Sequence, residues 1–325
     1  MNCNLPEITY PMFRTLLLVK LCEVIYPQAD VTVKKVSAVT NQNDFDSSKV
    51  SLLLKSTPLK RVKNNTFTIV YQSAIALQLS SVLRRNSLEL AYQILGEFQQ
   101  ESVNFCQEDS TIAQCILSDF TGKAFSSGLL QFELGDRGLS VWLQCLMKPP
   151  LPANSSDSIP LLTSLKKPFV QALEDSEPLF VCQHSHARCC SLLRLAHEPV
   201  MTLNRLETDA LDDFWMVLKP DPIPWLTPQG QLCLTHRAER ALISQLVTIV
   251  DNLSNLLTNP RSCLKSALAL SHAFQTFYRA CRILELASPS SLERSQSRLG
   301  LVMATQRLLR HLLEVGLNVK APLAL

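Results

Sequence analysis

The distribution of proline most constrains how this chain can fold. A segment rich in proline, serine, asparagine and aspartate separates a strand-containing half from a helical half, and its prolines stand at positions 149, 150, 152, 160 and 168. Each proline removes a backbone hydrogen-bond donor and disfavours helix in the residue before it. We therefore expect two domains, residues 1–148 and 178–325, joined by a linker over residues 149–177.

The first half combines helical and strand-like segments. Residues 11–26 and 72–83 predict helices, and a further helix opens at Asn86, which with Glu89 has the spacing of a capping box. Strands are predicted at the β-branched runs 31–39, 50–54 and 66–70 and at TIAQCIL and LLQFEL, and Asp136 is expected to cap a short helix through Trp142. The sequence therefore predicts an α+β domain with an antiparallel sheet.

The second half is expected to be an all-α helical bundle. Apolar residues recur at alternating spacings of four and three in three stripes, over residues 242–256, 264–284 and 301–315. No strand pattern interrupts them, and the last helix is expected to end near Gly316. The charge is uneven as well: residues 261–325 carry 9 basic and 3 acidic side chains, whereas residues 1–175 carry 16 of each. This excess favours an anionic partner, although a solvated helix face would explain it equally.

Composition excludes several classes of site. The chain has only 8 glycines, and neither a G-x-G-x-x-G nor a G-x-x-x-x-G-K-[ST] sequence occurs, so a common nucleotide-phosphate loop is not expected. The apolar run near the start, residues 16–19, is too short for a membrane span and lacks the small-residue cleavage site of a signal peptide. Its 11 cysteines form no repeating framework, which is typical of reduced thiols. We expect a cytoplasmic protein without a membrane contact or a cofactor.

Residues 180–194, FVCQHSHARCCSLLR, resemble the opening helix of the anticodon-binding domain of arginyl-tRNA synthetases. The family sequence Gln-Tyr-Ala-His-Ala-Arg is matched at Gln183, His186, Ala187 and Arg188. The segment LALSHAFQTFYRACRIL is similar to the family helix Phe-x-x-Phe-Tyr-x-x-x-x-[Val/Ile]-Leu, and the end of the chain, from Arg298 to Pro322, resembles the family's closing helix. The resemblance implies a DALR-type anticodon-binding domain over residues 178–325.

The first half carries a weaker resemblance to the additional domain of the same enzymes. The segments YQSAIAL at 71–77, NSLELAYQI at 86–94 and GLLQF at 128–132 match its motifs in order. In that family the third motif approaches the outer corner of tRNA with an aromatic and an asparagine. Leu129 and Gln131 replace them here, so base stacking is lost while Gln131 keeps a donor and an acceptor.

The catalytic motifs of the family are absent from this sequence. A class I synthetase needs a His-x-Gly-His sequence for the ATP phosphates and a Lys-Met-Ser-Lys-Ser loop for amino-acid activation. The six histidines, at 184, 186, 197, 236, 272 and 311, include no close pair with an intervening glycine. We therefore expect a non-catalytic synthetase-like protein that binds tRNA, arginine tRNA being the preference that the resemblance implies.

Candidate RNA contacts lie mainly in the helical half. His184 stands where the family has a tyrosine that faces the anticodon, and an imidazole also stacks on bases. Arg188 and Arg194 lie on nearly opposite helical faces, and Arg188 is the expected contact. Tyr278 and Arg282 are expected to share one helix face as a stacking ring beside a phosphate-binding group. Arg307 and Arg310, three residues apart, are predicted phosphate contacts.

Two other interpretations use the same residues. Cys182, His186 and Cys189 would lie on one helix face at spacings of four and three residues. Structural zinc usually takes four ligands from a loop or from two elements, so no metal site is predicted. The helical bundle could also be a protein-interaction module that docks on a synthetase or another translation factor. Recovery of tRNA or of a stoichiometric protein from cell extract would discriminate between RNA binding and protein docking.

Overall fold

The computed structural model describes residues 10–25, 59–62, 67–103, 111–148, 176–206, 214–285 and 287–325. The chain divides into two compact units, one formed by residues 13–141 and the other by residues 142–325 with the N-terminal residues before 13. The predicted linker, 149–177, lies outside the described residues except for Ser176 and Glu177. Its bounds therefore stay a prediction.

The first unit combines an antiparallel sheet with helices, as the sequence predicts. Its elements in chain order are α1 (residues 13–25), β1 (Leu59–Val62), β2 (Ile69–Ser73), α2 (Ile75–Leu83), α3 (Ser87–Val103), α4 (Ile112–Leu117), β3 (Phe120–Ala124), β4 (Leu130–Leu134) and α5 (Asp136–Cys145), which continues into the second unit. The strands pair in the order β1-β2-β4-β3. The predicted strands at 31–39 and 50–54 lie outside the described residues.

The sheet has one buried and one more open face. Leu130, Phe132 and Leu134 of β4 are buried, and the rings of Phe132 and Phe98 lie 5.0 Å apart. Because side chains alternate along a strand, Gln131 points to the opposite face. It pairs in register with Gln72 of β2 and with Lys123 of β3, and Gln72 pairs with Lys60 of β1.

One predicted strand of this unit is a helix. The run TIAQCIL forms α4 because Thr111 and Gln114 make a capping box: the Gln114 amide N–H donates to the Thr111 hydroxyl at 3.4 Å, and the Thr111 N–H donates to the Gln114 side chain at 2.7 Å. The adjoining strand is β3 instead. At the start of α5, the carboxylate of Asp119 accepts a hydrogen bond from the Gly138 N–H at 2.6 Å, so Asp119 takes part in the cap that the sequence assigns to Asp136.

The second unit is mostly helical, which confirms the predicted bundle. Its elements are α6 (Glu177–Ala196), β5 (Thr202–Leu206), β6 (Phe214–Lys219), α7 (Arg237–Val250), α8 (Leu253–Thr258), α9 (Pro260–Ala280), α10 (Pro289–His311) and a π-helical turn, Leu312–Gly316. Helix α6 packs on α9 and α10, and α9 also packs on α7. None of the helices in the described ranges is long and apolar enough to cross a membrane.

Strands β5 and β6, which follow α6 in the chain, form an antiparallel pair, so the prediction that no strand interrupts this half is wrong. Beyond this pair, the bundle is tied by a buried ion pair in which Arg298 Nε of α10 lies 2.7 Å from Glu239 Oε1 of α7. Gly300 lets α10 approach the indole of Trp225, because a Cβ at that position would clash with the ring.

Candidate nucleic-acid interface

Helix α6 divides its predicted motif between two faces. Cys182, His186 and Cys189 are buried, whereas Phe180, His184 and Arg188 are exposed at successive four-residue steps. This spacing places the exposed three in one stripe along the helix. The first two rings stack, with centroids 6.0 Å apart and an angle of 29° between their planes. Phe180 is 58% exposed, so the stack has an open apolar face.

A cleft of about 330 Å³ lies between the exposed stripe of α6 and the C-terminal half of α9. It is lined by His184, Ser185 and Arg188 from α6 and by Phe274, Gln275, Tyr278 and Arg279 from α9. The structure therefore brings three predicted contacts, His184, Arg188 and Tyr278, into one cleft. We call it the α6–α9 cleft.

Arg188 and Tyr278 form the centre of the α6–α9 cleft. The guanidinium carbon of Arg188 lies 4.8 Å from the centroid of the Tyr278 ring, and Nη2 of the same arginine donates to the Tyr278 hydroxyl. The Tyr278 ring also stacks with that of Phe274, with centroids 6.2 Å apart. The cleft thus combines aromatic surface with a cation. Both are what an unpaired nucleotide requires, because the base stacks and the phosphate pairs with a guanidinium.

The residues that line the α6–α9 cleft include two arginines and no carboxylate. Arg188 and Arg279 are both exposed, so the potential at the opening is positive. Phe180, Gln275 and Arg279 were not among the contacts predicted from the sequence. Phe180 could have been found from its spacing of four from His184, because residues at that spacing share a helix face. Gln275 and Arg279 required the packing of α9 on α6.

Arg282 does not share a helix face with Tyr278, which corrects the predicted pairing. Helix α9 ends at Ala280, and Cys281 has extended backbone angles of φ −120° and ψ 127°. Cys281 and Ile283 are buried while Arg282 between them is exposed, an alternation typical of extended chain. The Arg282 carbonyl accepts a hydrogen bond from Arg298 Nη1 at 2.7 Å. Its own guanidinium does not line the α6–α9 cleft.

Arg307 and Arg310 occupy different environments. Arg307 is 5% exposed and donates from Nη1 to the carbonyls of Leu146 and Lys148, at 2.5 and 2.9 Å, and from Nη2 to that of Trp215 at 2.6 Å. A guanidinium held in this way is engaged within the fold, which favours a structural role over the predicted phosphate contact. Arg310 is partly exposed, and its Nε lies 2.9 Å from Glu314 Oε2.

Gln131 lies on the sheet of the first unit, in the row Lys60–Gln72–Gln131–Lys123 that crosses all four strands. Gln72 Nε2 donates to Gln131 Oε1 at 3.2 Å, and Lys60 and Lys123 at the ends are exposed. The four strands span about 14 Å at the usual strand spacing. The row therefore presents amides between two cations on one surface.

Three residues of the α6 motif hold the end of the chain. Gln183 Nε2 donates to the Lys320 carbonyl at 3.0 Å, His186 Nδ1 to that of Pro322 at 2.8 Å, and Arg194 Nη2 to that of Leu323 at 3.0 Å. Gln306 Nε2 lies 2.9 Å from His186 Nε2, which then acts as the acceptor. Burial lowers the pKa of His186. Gln183 and His186 therefore stabilise the packing of the C-terminal segment on α6.

The same contacts bear on the zinc interpretation. Both ring nitrogens of His186 have protein partners, and burial raises the pKa of the Cys182 thiol to about 11 and that of Cys189 well above its usual value. A metal-binding thiol must lose its proton, which this environment opposes. Among the residues that the structure describes, no group of three or more histidine, cysteine or acidic side chains is arranged to hold a metal ion.

Comparison with known proteins places the α6–α9 cleft in a known type of domain. Residues 182–325 match the DALR anticodon binding domain, a range that includes every residue lining the cleft. Among curated proteins, the chain is 32% identical over 148 residues to the arginine–tRNA ligase of Synechococcus sp. (strain JA-3-3Ab), covering 45% of this chain and 22% of that protein. It is 33% identical over 159 residues to the ligase of Gloeobacter violaceus, covering 47% and 24%, and 31% identical over 147 residues to that of Moorella thermoacetica, covering 45% and 22%.

The chain thus carries a DALR-type domain in its C-terminal half and resembles arginyl-tRNA synthetases over nearly half of its length. It spans less than a quarter of the length of the curated relatives it matches. The predicted resemblance is confirmed at this level. Gln131 lies outside the matched domain.

Proposed function

We propose that this protein binds tRNA and that its α6–α9 cleft takes unpaired bases of the anticodon loop. The observation that carries the proposal is the convergence of His184, Arg188 and Tyr278 on one positively charged cleft within a DALR-type domain. Sequence-specific RNA recognition usually targets single-stranded loops, whose bases stack on aromatic or guanidinium planes. The relatives' names, arginine–tRNA ligase, make arginine tRNA the first substrate to test.

Binding requires a rearrangement at the centre of the cleft. A base that stacks on the face of Tyr278 beside Arg188 must displace the guanidinium, whose carbon lies 4.8 Å from the ring centroid. Arg188 is exposed, so a released guanidinium can swing toward the phosphate of the same nucleotide. Its interaction with Tyr278 costs little to break at an exposed site, about 0.5–1 kcal/mol, and a stacked base contributes about 1–3 kcal/mol.

The row of Lys60, Gln72, Gln131 and Lys123 is proposed as a separate contact with the same RNA. Amides between two cations suit a base edge flanked by phosphates. The resemblance of this half to the additional domain of the synthetases makes the outer corner of tRNA the proposed target, with Gln131 in place of the family's asparagine.

The experiment that tests the cleft measures binding of an arginine-tRNA transcript to purified full-length variants. Tyr278→Ala and His184→Ala should each weaken binding by about 1–3 kcal/mol, the value of one stacked base. His272→Ala is the matched control, since His272 is exposed on α9 but does not line the cleft. Parental affinity for both cleft variants, with folding verified by circular dichroism, would refute the assignment.

We also propose that this chain does not charge tRNA by itself. The support is the absence from its 325 residues of the His-x-Gly-His and Lys-Met-Ser-Lys-Ser sequences that amino-acid activation requires in the resembled enzymes. The measurement is arginine-dependent exchange of pyrophosphate into ATP. Exchange that co-elutes with the protein and is lost after its immunodepletion would contradict the proposal.

A docking function remains the second candidate because of two exposed apolar residues. Leu195 is 64% exposed and Leu325 is 69% exposed, and each lies close along the chain to one partner of the Arg194–Leu323 hydrogen bond. Such side chains at the end of α6 and of the chain suit contact with another protein. A stoichiometric protein that co-purifies with the parent chain and is lost with Leu195→Asp and Leu325→Asp, while tRNA binding is unchanged, would favour docking.

A further inference from the structure

A second opening in the helical unit lies at the other end of α9. This groove, of about 380 Å³, is lined by Thr248, Asn252, Asn255, Leu256, Thr258, Asn259, Ser262 and Ser266. We call it the asparagine groove. None of these eight residues is charged, and Leu256 is the only apolar one.

Several polar groups of the asparagine groove have donors or acceptors that make no hydrogen bond within the described residues. The amide nitrogen of Asn252 donates to the Thr248 carbonyl at 2.8 Å, and the amide oxygen of Asn259 accepts from the Ser262 N–H at 3.1 Å. The other polar atom of each amide has no partner in the part of the chain that the structure describes. Within the described residues, the Asn255 amide and the hydroxyls of Ser262 and Ser266 make no hydrogen bond to protein. Donors and acceptors thus stand together in one groove.

This chemistry selects the ligand. A phosphate site would need cations or a set of converging N–H groups, and a peptide groove would need apolar pockets or an open strand edge. Asparagine amides with hydroxyls match an uncharged edge that carries donors and acceptors side by side, as a nucleobase does. The buried Leu256 gives the base an apolar contact.

Helix α9 connects the asparagine groove with the α6–α9 cleft. Ser262 lines the groove and Tyr278 lines the cleft, 16 residues apart, so the two lie about 24 Å apart along the helix axis and about 160° apart around it. The helix contains no acidic residue, and Arg261, Lys265 and Arg279 are exposed along it. A nucleic-acid backbone can follow such a surface without repulsion.

We propose that the asparagine groove is a second RNA subsite, which reads the edge of an unpaired base while the α6–α9 cleft stacks another base of the same RNA. This inference rests on the proposed tRNA binding and extends it. Asn255, Ser262 and Ser266 are the expected readers, and Arg261 and Lys265 the expected backbone contacts. Because the readers are neutral, the groove should contribute to affinity without contributing to its salt dependence.

The test uses the full chain, an arginine-tRNA transcript and the double variant Asn255→Ala/Ser266→Ala. Its affinity should fall by about three- to thirtyfold, the effect of one or two neutral hydrogen bonds, with an unchanged slope of log affinity against log salt. Dimethyl sulfate modifies unpaired base edges, so one nucleotide protected by the parent should become reactive with the double variant and stay protected with His184→Ala. Thr276→Ala, an exposed hydroxyl of α9 outside both openings, is the matched control and should bind like the parent.

The outcomes separate the two proposals. If the double variant keeps parental affinity and protection while His184→Ala binds weakly, the asparagine groove is ordinary solvated surface and only the cleft binds RNA. If the parent binds no tRNA, both proposals fall. Circular dichroism verifies folding, and the single variant Asn255→Ala, at an exposed position, replaces the double variant if that one is unfolded; it should lose the same protected nucleotide.

Discussion

The buried guanidinium of Arg307 gives the sharpest prediction about stability. The substitution Arg307→Met removes three hydrogen bonds, to the carbonyls of Leu146, Lys148 and Trp215, and fills most of the same space with an apolar chain. Hydrogen bonds from a charged donor are worth about 2 kcal/mol each, so about 6 kcal/mol is lost. The three carbonyls that remain are left without this donor.

The cost of burying the charge works in the opposite direction. Burial lowers the pKa of Arg307 from the ordinary range of an arginine to about 10. A fall of this size corresponds to a cost of about 3 kcal/mol for burying the charged guanidinium. The methionine variant has no such cost. The expected net loss is therefore about 3 kcal/mol of unfolding free energy, a large share of the 5–15 kcal/mol typical of a domain.

The assay is urea denaturation followed by tryptophan fluorescence. All 3 tryptophans, at 142, 215 and 225, belong to the second unit, so the signal reports on the unit that holds Arg307. Arg310→Met is the matched control on the same helix. Its partly exposed pair with Glu314 should cost at most about 1 kcal/mol.

Equal stability of the two methionine variants would refute the structural role of Arg307. A folded Arg307→Met protein whose tRNA affinity has a flatter salt dependence, by about 0.7 in slope, would restore the phosphate contact that the sequence predicts. The structural role predicts instead that any loss of RNA binding follows the loss of folded protein.

The remaining predictions concern His184, the buried histidines and the sheet of the first unit. His184→Tyr should retain parental tRNA affinity because a phenol ring stacks as well as imidazole; a loss equal to that of His184→Ala would mean that the position reads an edge rather than stacks. Burial lowers the pKa of His186 and His311, so the unfolded chain takes up protons first and stability should fall as the pH drops below about 6.5, by at most about 1.4 kcal/mol per pH unit for each histidine. Urea midpoints unchanged from neutral pH down to pH ~5.5 would contradict this. Lys123→Gln should lower the salt slope of tRNA binding while Gln131→Ala lowers affinity at constant slope; parental values for both would remove the sheet from the RNA contact.

The sequence predicted most of the helices but not where two of them end. Apolar periodicity located α7, α9 and α10, because a helix that packs against a core repeats its buried positions every three or four residues. Periodicity alone could not end α9 at Ala280, since Cys281 and Ile283 stay buried in extended backbone and continue the apolar count. The single stripe over 242–256 likewise spans two helices, α7 and α8.

Local hydrogen bonds explain the other differences in secondary structure. The run TIAQCIL has the β-branched residues of a strand, yet the reciprocal bonds of Thr111 and Gln114 start a helix there. The signal was present in the sequence as a threonine followed three residues later by glutamine. The strands β5 and β6, by contrast, lie in the C-terminal half of the chain. That half was predicted to be all helical because of its three apolar stripes.

The candidate site was predictable only in part, because some of its residues follow from sequence patterns and others depend on tertiary packing. His184, Arg188 and Tyr278 were found from resemblance and spacing, and the packing of α6 on α9 brings them together. Arg307 and Arg310 look alike in sequence, because three-residue spacing says nothing about which of two arginines faces carbonyl groups. Only the positions of Leu146, Lys148 and Trp215, more than 90 residues away in the chain, distinguish them.

The division of α6 into two faces determines which residues inform the function. Gln183, His186 and Arg194 hold the carbonyls of the C-terminal segment, and this packing would require them whether or not the protein still met RNA. Their match to the synthetase pattern therefore indicates a shared fold and does not by itself indicate RNA binding. Arg188 is different, because it is exposed and its partner in the fold is a tyrosine ring at the surface, a contact that a bundle does not need for its core. Substitutions in the α6–α9 cleft can therefore show whether the protein binds RNA. Substitutions of Gln183, His186 or Arg194 cannot, because they would also disturb the packing of the C-terminal segment.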